Sequence, residues 1–179
     1  MELLNNFSVI FLSVWDKGIL GVDIFQILIG IGIFLVFLIF RGLISKLIIK
    51  KLELISKKTT NKLDDTFVSS LVGPARFFPI VIGFFIASYY MSFSSEGREI
   101  VDTINRTLIT ILIFWIIHQI IEPISYILSG LDQLLTRELI GWIIKSLKIL
   151  IFILGLAAVL ELWGIKIGPI IAGLGLFGV

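Results

Sequence analysis

Residues 24–40 read IFQILIGIGIFLVFLIF, and the run stops at Arg41. Gln26 is its one polar side chain, and it holds no charge. As a helix the run would rise about 25 Å, close to the ~30 Å hydrocarbon core of a bilayer. Backbone in lipid must satisfy its own hydrogen bonds, so a crossing segment is a helix or part of a closed barrel. Barrel strands are about ten residues long and alternate in polarity. This run is longer and apolar throughout, so it reads as a transmembrane helix. Working outward, residues 77–93, 107–128 and 149–163 repeat the pattern, each bounded by charge. A fifth run, GPIIAGLGLFGV at residues 168–179, starts the same way but rises only about 18 Å. The expected fold is an all-α integral membrane protein: two helical hairpins, hence four transmembrane helices, followed by the start of a glycine-rich helix. The last helix is expected to be cut short at Val179.

Composition agrees. Hydrophobic residues make up 58% of the chain and charged residues 16%, against about 25% charged in soluble domains. Mean hydropathy is +1.09. There is no cysteine and only one histidine, which excludes disulfides, thiolate chemistry and a multi-histidine metal site within one subunit. No nucleophile–base pair, phosphate loop or metal-ligand spacing is present, so neither an enzyme nor a cofactor is expected. Gly173, Gly175 and Gly178 fit a dinucleotide-binding spacing but lack the strand, the helix context and the following acid. Glu2 is the only charge before Asp16, so the N-terminus lacks the basic region of a signal peptide. Residues 1–22 read as an interfacial, periplasmic segment with Trp15 at the headgroups.

Loop charges set the orientation. Arg41, Lys46, Lys50, Lys51, Lys57, Lys58, Lys62 and Arg76 lie between the first two runs, opposed by Glu53, Asp64 and Asp65. Arg137, Lys145 and Lys148 lie between the third and fourth. Lysine and arginine stay on the cytoplasmic side, which puts the N-terminus outside and points the fifth helix inward. Residues 23–93 then form a first hairpin with a basic cytoplasmic elbow at 41–76. Residues 94–163 form a second hairpin, and 164–179 begin the last helix. Within the elbow, Leu43, Ile44, Leu47, Ile48, Leu52 and Ile55 recur at helical spacing among the lysines. The first helix is expected to run on as an amphipathic helix at the inner surface. Its lysines are either a solvated linker face or a sensor of anionic lipid. Leu63, Asp64, Leu71 and Gly73 recur as Leu131, Asp132, Leu139 and Gly141 at constant offset, which suggests two copies of one hairpin.

The fifth run differs in kind. Pro169 sits where a helix would begin. At about 100° per residue, Gly168, Ala172 and Gly175 share a face, Gly178 lies beside it, and Gly173 lies elsewhere. Small residues let helices approach closely in lipid, and small residues on two faces suit a ring around a narrow apolar pore. The alternative is burial of the same glycines inside one bundle.

The stretch Leu162-Trp163-Gly164-Ile165 leading into Gly168-Pro169-Ile170-Ile171-Ala172-Gly173-Leu174-Gly175-Leu176-Phe177-Gly178-Val179 resembles the approach to the pore helix in the small-conductance mechanosensitive channel (MscS-type) family. Leu63-Asp64-Asp65 is similar to a motif of extended members with extra N-terminal helices. The resemblance implies a bacterial inner-membrane homo-oligomer, a heptamer, whose last membrane helices line a pore. It implies a cytoplasmic vestibule, opening under membrane tension, and passage of ions and small osmolytes in hypo-osmotic stress. It also implies membrane lipids as partners, with no role for nucleic acid. By pattern, Gly175 and Gly178 match packing glycines, Ala172 a small residue they pack against, and Val179 the first constriction. Phe177 departs from a position that is often small in the family.

His118 and Glu122 lie four apart in the third run, and Pro123 follows. An ionisable pair in a bilayer marks a functional hypothesis. A proton-coupled secondary transporter would use it with Pro123 as a helix break. The bland reading is local: neutral His118 donates to Glu122, and no second helix brings a charge to complete a relay. Channel subunit, transporter and noncatalytic membrane scaffold are the three functions in play.

Overall fold

The structure is a computed structural model that describes residues 22–56, 62–129, 136–169 and 172. Five helices run through these residues: α1 (Ile24–Ser56), α2 (Lys62–Ser70), α3 (Val72–Tyr90), α4 (Ser95–Ser129) and α5 (Arg137–Leu162). Four of them, α1, α3, α4 and α5, are long and apolar enough to cross a membrane. The molecule is thus all-α among the described residues, as expected.

Each helix exceeds its apolar run for an identifiable reason. Asp23 caps α1, its carboxylate accepting the Phe25 N–H at 3.0 Å. From there α1 continues unbroken past Arg41 for 33 residues, a rise of about 50 Å, well beyond the ~30 Å core. The elbow therefore starts as a rigid extension of the first membrane helix. Ser94 caps α4, which adds Ser95 to Arg106 ahead of the apolar stretch, and Glu96 occupies its first turn. Thr136 caps α5 and accepts the Leu139 N–H. Charged first turns hide these helix starts from a hydropathy reading. Pro74 falls in the first turn of α3, where its missing N–H is an orphan anyway. Pro79 and Pro123 are interior and buried, and each leaves the carbonyl four residues back without its usual donor.

α1 packs along α3, and α4 along α5. Both pairs rest on the same device. A methyl group placed on Gly83 of α3 would lie 2.5 Å from Cβ of Phe37 on α1. One placed on Gly155 of α5 would lie 2.9 Å from Cγ of Phe114 on α4. In each hairpin an aromatic of the first helix sits directly over a glycine of the second. Phe34 meets Phe84 edge-on at 6.3 Å in the first hairpin. Phe77 and Trp115, with ring centres 5.7 Å apart, join α3 to α4. Most other large apolar side chains face outward, among them Ile39 (73% exposed) and Phe152 (65%). Outward-facing apolar surface on this scale is what lipid, not water, would cover.

A cluster of polar contacts between helices lies at one end. The amide of Asn105, a buried residue, donates to Ser88 Oγ at 2.9 Å. Arg98 reaches the Ser88 carbonyl in the last turn of α3 and pairs with Asp102 at 3.3 Å. Gln26 accepts the Ser92 N–H at 3.0 Å, and Trp163 Nε1 donates to Thr107 at 3.1 Å. The start of α1, the end of α3, the first half of α4 and the end of α5 are clasped there.

Of the proposed repeat, Leu63, Asp64, Leu71 and Gly73 fall in α2 and at the start of α3, and Leu139 and Gly141 at the start of α5. Leu131 and Asp132 lie outside the described residues, as does the interfacial segment with Trp15.

Gly83→Ala is expected to lower stability in detergent by about 1–3 kcal/mol, the usual cost of overpacking. Gly32→Ala faces open space and should be neutral or slightly stabilising through helix propensity. Thermal unfolding of the two variants side by side checks this, and equal melting temperatures would contradict it.

Candidate functional site

The approach to the glycine-rich segment is set by how α5 ends. Gly164 has φ +79°, in the left-handed region. Its N–H donates to the Glu161 carbonyl at 3.0 Å, and the Ile165 N–H donates to Leu160 at 3.1 Å. This is a Schellman ending, with the glycine where a side chain would strain the backbone. Trp163 is pinned to α4 through Thr107, so the reversal has a fixed position against the second hairpin. Helical backbone resumes at Gly168 and Pro169 and is present at Ala172. Gly168 and Ala172 are both exposed, and a methyl group on Gly168 would meet open space. Gly173, Gly175, Gly178 and Val179 lie outside the described residues.

The basic elbow is partly described. Arg41, Lys46, Lys50 and Lys51 project from α1, all exposed, and Lys62 is the first residue of α2. Lys57 and Lys58 lie outside the described residues. Leu43, Leu47 and Leu54 are 58%, 56% and 57% exposed on the same stretch. Ile48 and Leu52 instead turn toward Pro74, Phe78, Leu112 and Ile116, around a void of about 270 Å³ where α1, α3 and α4 meet. Lysines and leucines exposed together on one helix suit a headgroup boundary better than bulk water.

The polar pair of α4 has a partner that the sequence reading did not foresee. Glu122 makes an ion pair with Lys148 of α5 at 2.9 Å. A second helix therefore does bring a charge to Glu122. Loop counting placed Lys148 between membrane runs. Because α5 starts at Arg137, Lys148 is an interior helix residue facing α4. Glu122 is 57% exposed and Lys148 27%, so the pair sits at the edge of the α4–α5 seam. Half-buried His118 lines a groove between the two helices, with Ile111, Phe114, Trp115, Phe152 and Leu156 around it. Its volume is about 430 Å³, and Gly155 and Val159 of α5 also line it.

The sequence reading missed the Phe37–Gly83 and Phe114–Gly155 contacts, the Ser88–Asn105 bond and the Trp163–Thr107 tie. A lone glycine inside an apolar run was the available signal for the first two. A lone asparagine just before one was the signal for the third.

Two curated proteins align along most of the chain. One, an "Uncharacterized MscS family protein" of Aquifex aeolicus, is 27% identical over 175 residues, which is 94% of this chain and 46% of the relative. The other, "Uncharacterized MscS family protein YhdY" of Bacillus subtilis, is 28% identical over 160 residues, 87% of this chain and 43% of the relative. These matches support MscS-type family membership. The chain spans less than half the length of these relatives. No family model and no solved structure matches it. Alignments over 94% and 87% of the chain reach far beyond the short resemblance read from residues 162–179.

Glu122→Lys sets two like charges against each other and should cost roughly 1 kcal/mol of stability, with most of it regained when Lys148→Glu is added. Unfolding of the single and double variants in detergent measures the coupling, and a double variant no better than the single would exclude a pairwise bond. Gly164→Ala should cost about 1 kcal/mol through the left-handed backbone alone, read in the same assay.

Proposed function

We propose that the chain is the membrane portion of a mechanosensitive channel subunit in the bacterial inner membrane, with its N-terminus outside. Several copies, seven by the family resemblance, would place their glycine-rich helices around one axis. The channel would open under tension to release ions and small osmolytes during hypo-osmotic stress. It is a conduit that needs no cofactor and performs no covalent step.

The observation that carries this reading is the fixed reversal at Gly164. A Schellman turn pinned by Trp163 redirects the chain off the second hairpin and restarts it as a helix at Gly168 and Pro169. The small residues of that helix, Gly168 and Ala172, are uncovered within the subunit, as helices awaiting a neighbour would be. Gly173, Gly175 and Gly178 would extend the packing surface, with Val179 at the constriction. The hairpins would form the lipid-facing perimeter, and the lysines and leucines of α1 would grip the inner headgroups. Tension shifts a two-state equilibrium only through a difference between the states, and here the difference is in-plane area. The transporter alternative keeps one observation in its favour, because Lys148 of α5 brings a second charge to Glu122.

The test is patch recording from spheroplasts that lack other tension-gated channels and express the complete gene product. Suction should evoke currents absent from the empty host. Ala172→Val, which crowds the helix contacts, should shift the suction needed for half-maximal opening. A silent patch with the protein present in the membrane would overturn the reading. Glu122→Gln should leave any transport without a new pH dependence, and a large one would revive the proton-coupled alternative.

A further inference from the structure

Where the bilayer sits along the second hairpin can be read from two tryptophans. Trp142, near the start of α5, and Trp163, at its end, are both exposed. They lie about 32 Å apart along the helix axis. That spacing matches the ~30 Å hydrocarbon core, so the pair marks its two faces as belt residues do. Measured from Trp163, Lys148 lies about 22 Å into the core. Thr107, which holds Trp163, gives Glu122 the same depth of about 22 Å along α4. Two helices thus place both ends of the ion pair roughly 8 Å short of the elbow-side boundary. Helix tilt would only deepen it.

Charged side chains inside a membrane are costly, and they face the bundle interior or a water-filled cavity. Glu122 is not in the interior, since more than half of its side chain is exposed. Lys148 does not reach away to the boundary, because its ammonium is held at Glu122. Pro123 adds a second demand. It leaves the Gln119 carbonyl without its usual helical donor, and ordered water is one means by which such a group is satisfied at membrane depth. Charge, exposure and a freed carbonyl coincide on one turn of α4, beside half-buried His118.

We propose that a water-filled crevice enters the α4–α5 seam from the elbow side, hydrates the Glu122–Lys148 pair and ends at His118. Beyond His118 the seam is the groove lined by Ile111, Phe114, Phe152 and Leu156. Water there would lack the two to four polar partners, or about that number, that a buried water needs. The crevice is therefore blind. Solutes of one side reach the pair, and the half of the hairpin toward Trp163 stays dry. A blind crevice is neither the pore around a shared axis nor a relay across the membrane, and the inference does not depend on the channel reading.

Thiols react through the thiolate, which apolar surroundings suppress. The chain has no cysteine of its own, so introduced ones can be followed by mass spectrometry of the peptides that carry them. In native membranes holding the complete gene product, Glu122→Cys should react with a charged, membrane-impermeant thiol reagent. It should do so from the side on which Lys50→Cys, exposed on α1, reacts. The rate should exceed that of Phe152→Cys several-fold, although Phe152 is well exposed in the subunit. Phe152→Cys should instead take a maleimide carried on a lipid chain. Glu122→Cys that reacts only with the lipid-borne reagent, or only from the side opposite Lys50→Cys, would overturn the proposal. So would silence toward both reagents, because another copy would then cover the pair. If Glu122→Cys and Lys50→Cys both react from outside the cell, the crevice stands and only the orientation proposed above falls. Glu122→Cys breaks the ion pair, so the unsubstituted protein in nanodiscs supplies a second measurement. Hydroxyl radicals generated from water should oxidise His118 and spare Phe152, and an unmodified His118 would sink the crevice.

Discussion

Helices in a bilayer gain little by burying apolar side chains against each other, because the lipid is equally apolar. Their pairing depends on close contact instead. Here that contact is made at Gly83 and Gly155. Each removes one Cβ so that an aromatic ring, Phe37 or Phe114, can lie against the backbone of the partner helix. Individual dispersion contacts are worth only ~0.1–0.2 kcal/mol, so they matter only when many are made at near-optimal distance. A glycine under a ring is an economical way to make many. The same arrangement in both hairpins is a structural likeness between them, and it is independent of the weak sequence repeat around Asp64 and Asp132.

The two ends of the bundle are held differently. At one end Gln26, Ser88, Asn105, Thr107 and Trp163 tie all four long helices together. Interhelical polar bonds in membranes average about 0.6 kcal/mol each, so the clasp fixes geometry more than it adds stability. Toward the elbow, the described contacts include the Glu122–Lys148 pair and the void ringed by Ile48, Pro74 and Phe78. The second end is also where α1 carries its exposed lysines.

Much of this architecture was legible in the sequence. The apolar runs located the four long apolar helices among the described residues, because only hydrophobic length and backbone satisfaction matter for crossing. Helix starts were not legible at α4 and α5. Ser94 with Glu96, and Thr136 with Glu138, are capping residues that lower local hydropathy while extending the helix. Lys148 was misplaced for the same reason, and with it the partner of Glu122. Pairing between helices was also beyond a one-dimensional reading. Nothing around Gly83 distinguishes it from Gly32, yet one lies under Phe37 and the other faces open space. The turn at Gly164 entered the sequence reading only through the resemblance of residues 162–179, although a glycine that closes a long apolar run, with a proline a few residues on, is a pattern that ends helices.

That turn also bears on what the described surface lacks. Ordinary outward-facing leucines and isoleucines are satisfied by lipid tails. Exposed small residues are not satisfied in the same sense, since a glycine in contact with a disordered acyl chain makes fewer close contacts than one against a second backbone. Gly168 and Ala172 are exposed where the chain has just been redirected by a hydrogen-bonded reversal and a tryptophan anchor. A backbone held this firmly at its point of departure positions the next helix against something specific. In the proposed channel, that partner of the small face would lie outside the subunit, on a neighbouring copy.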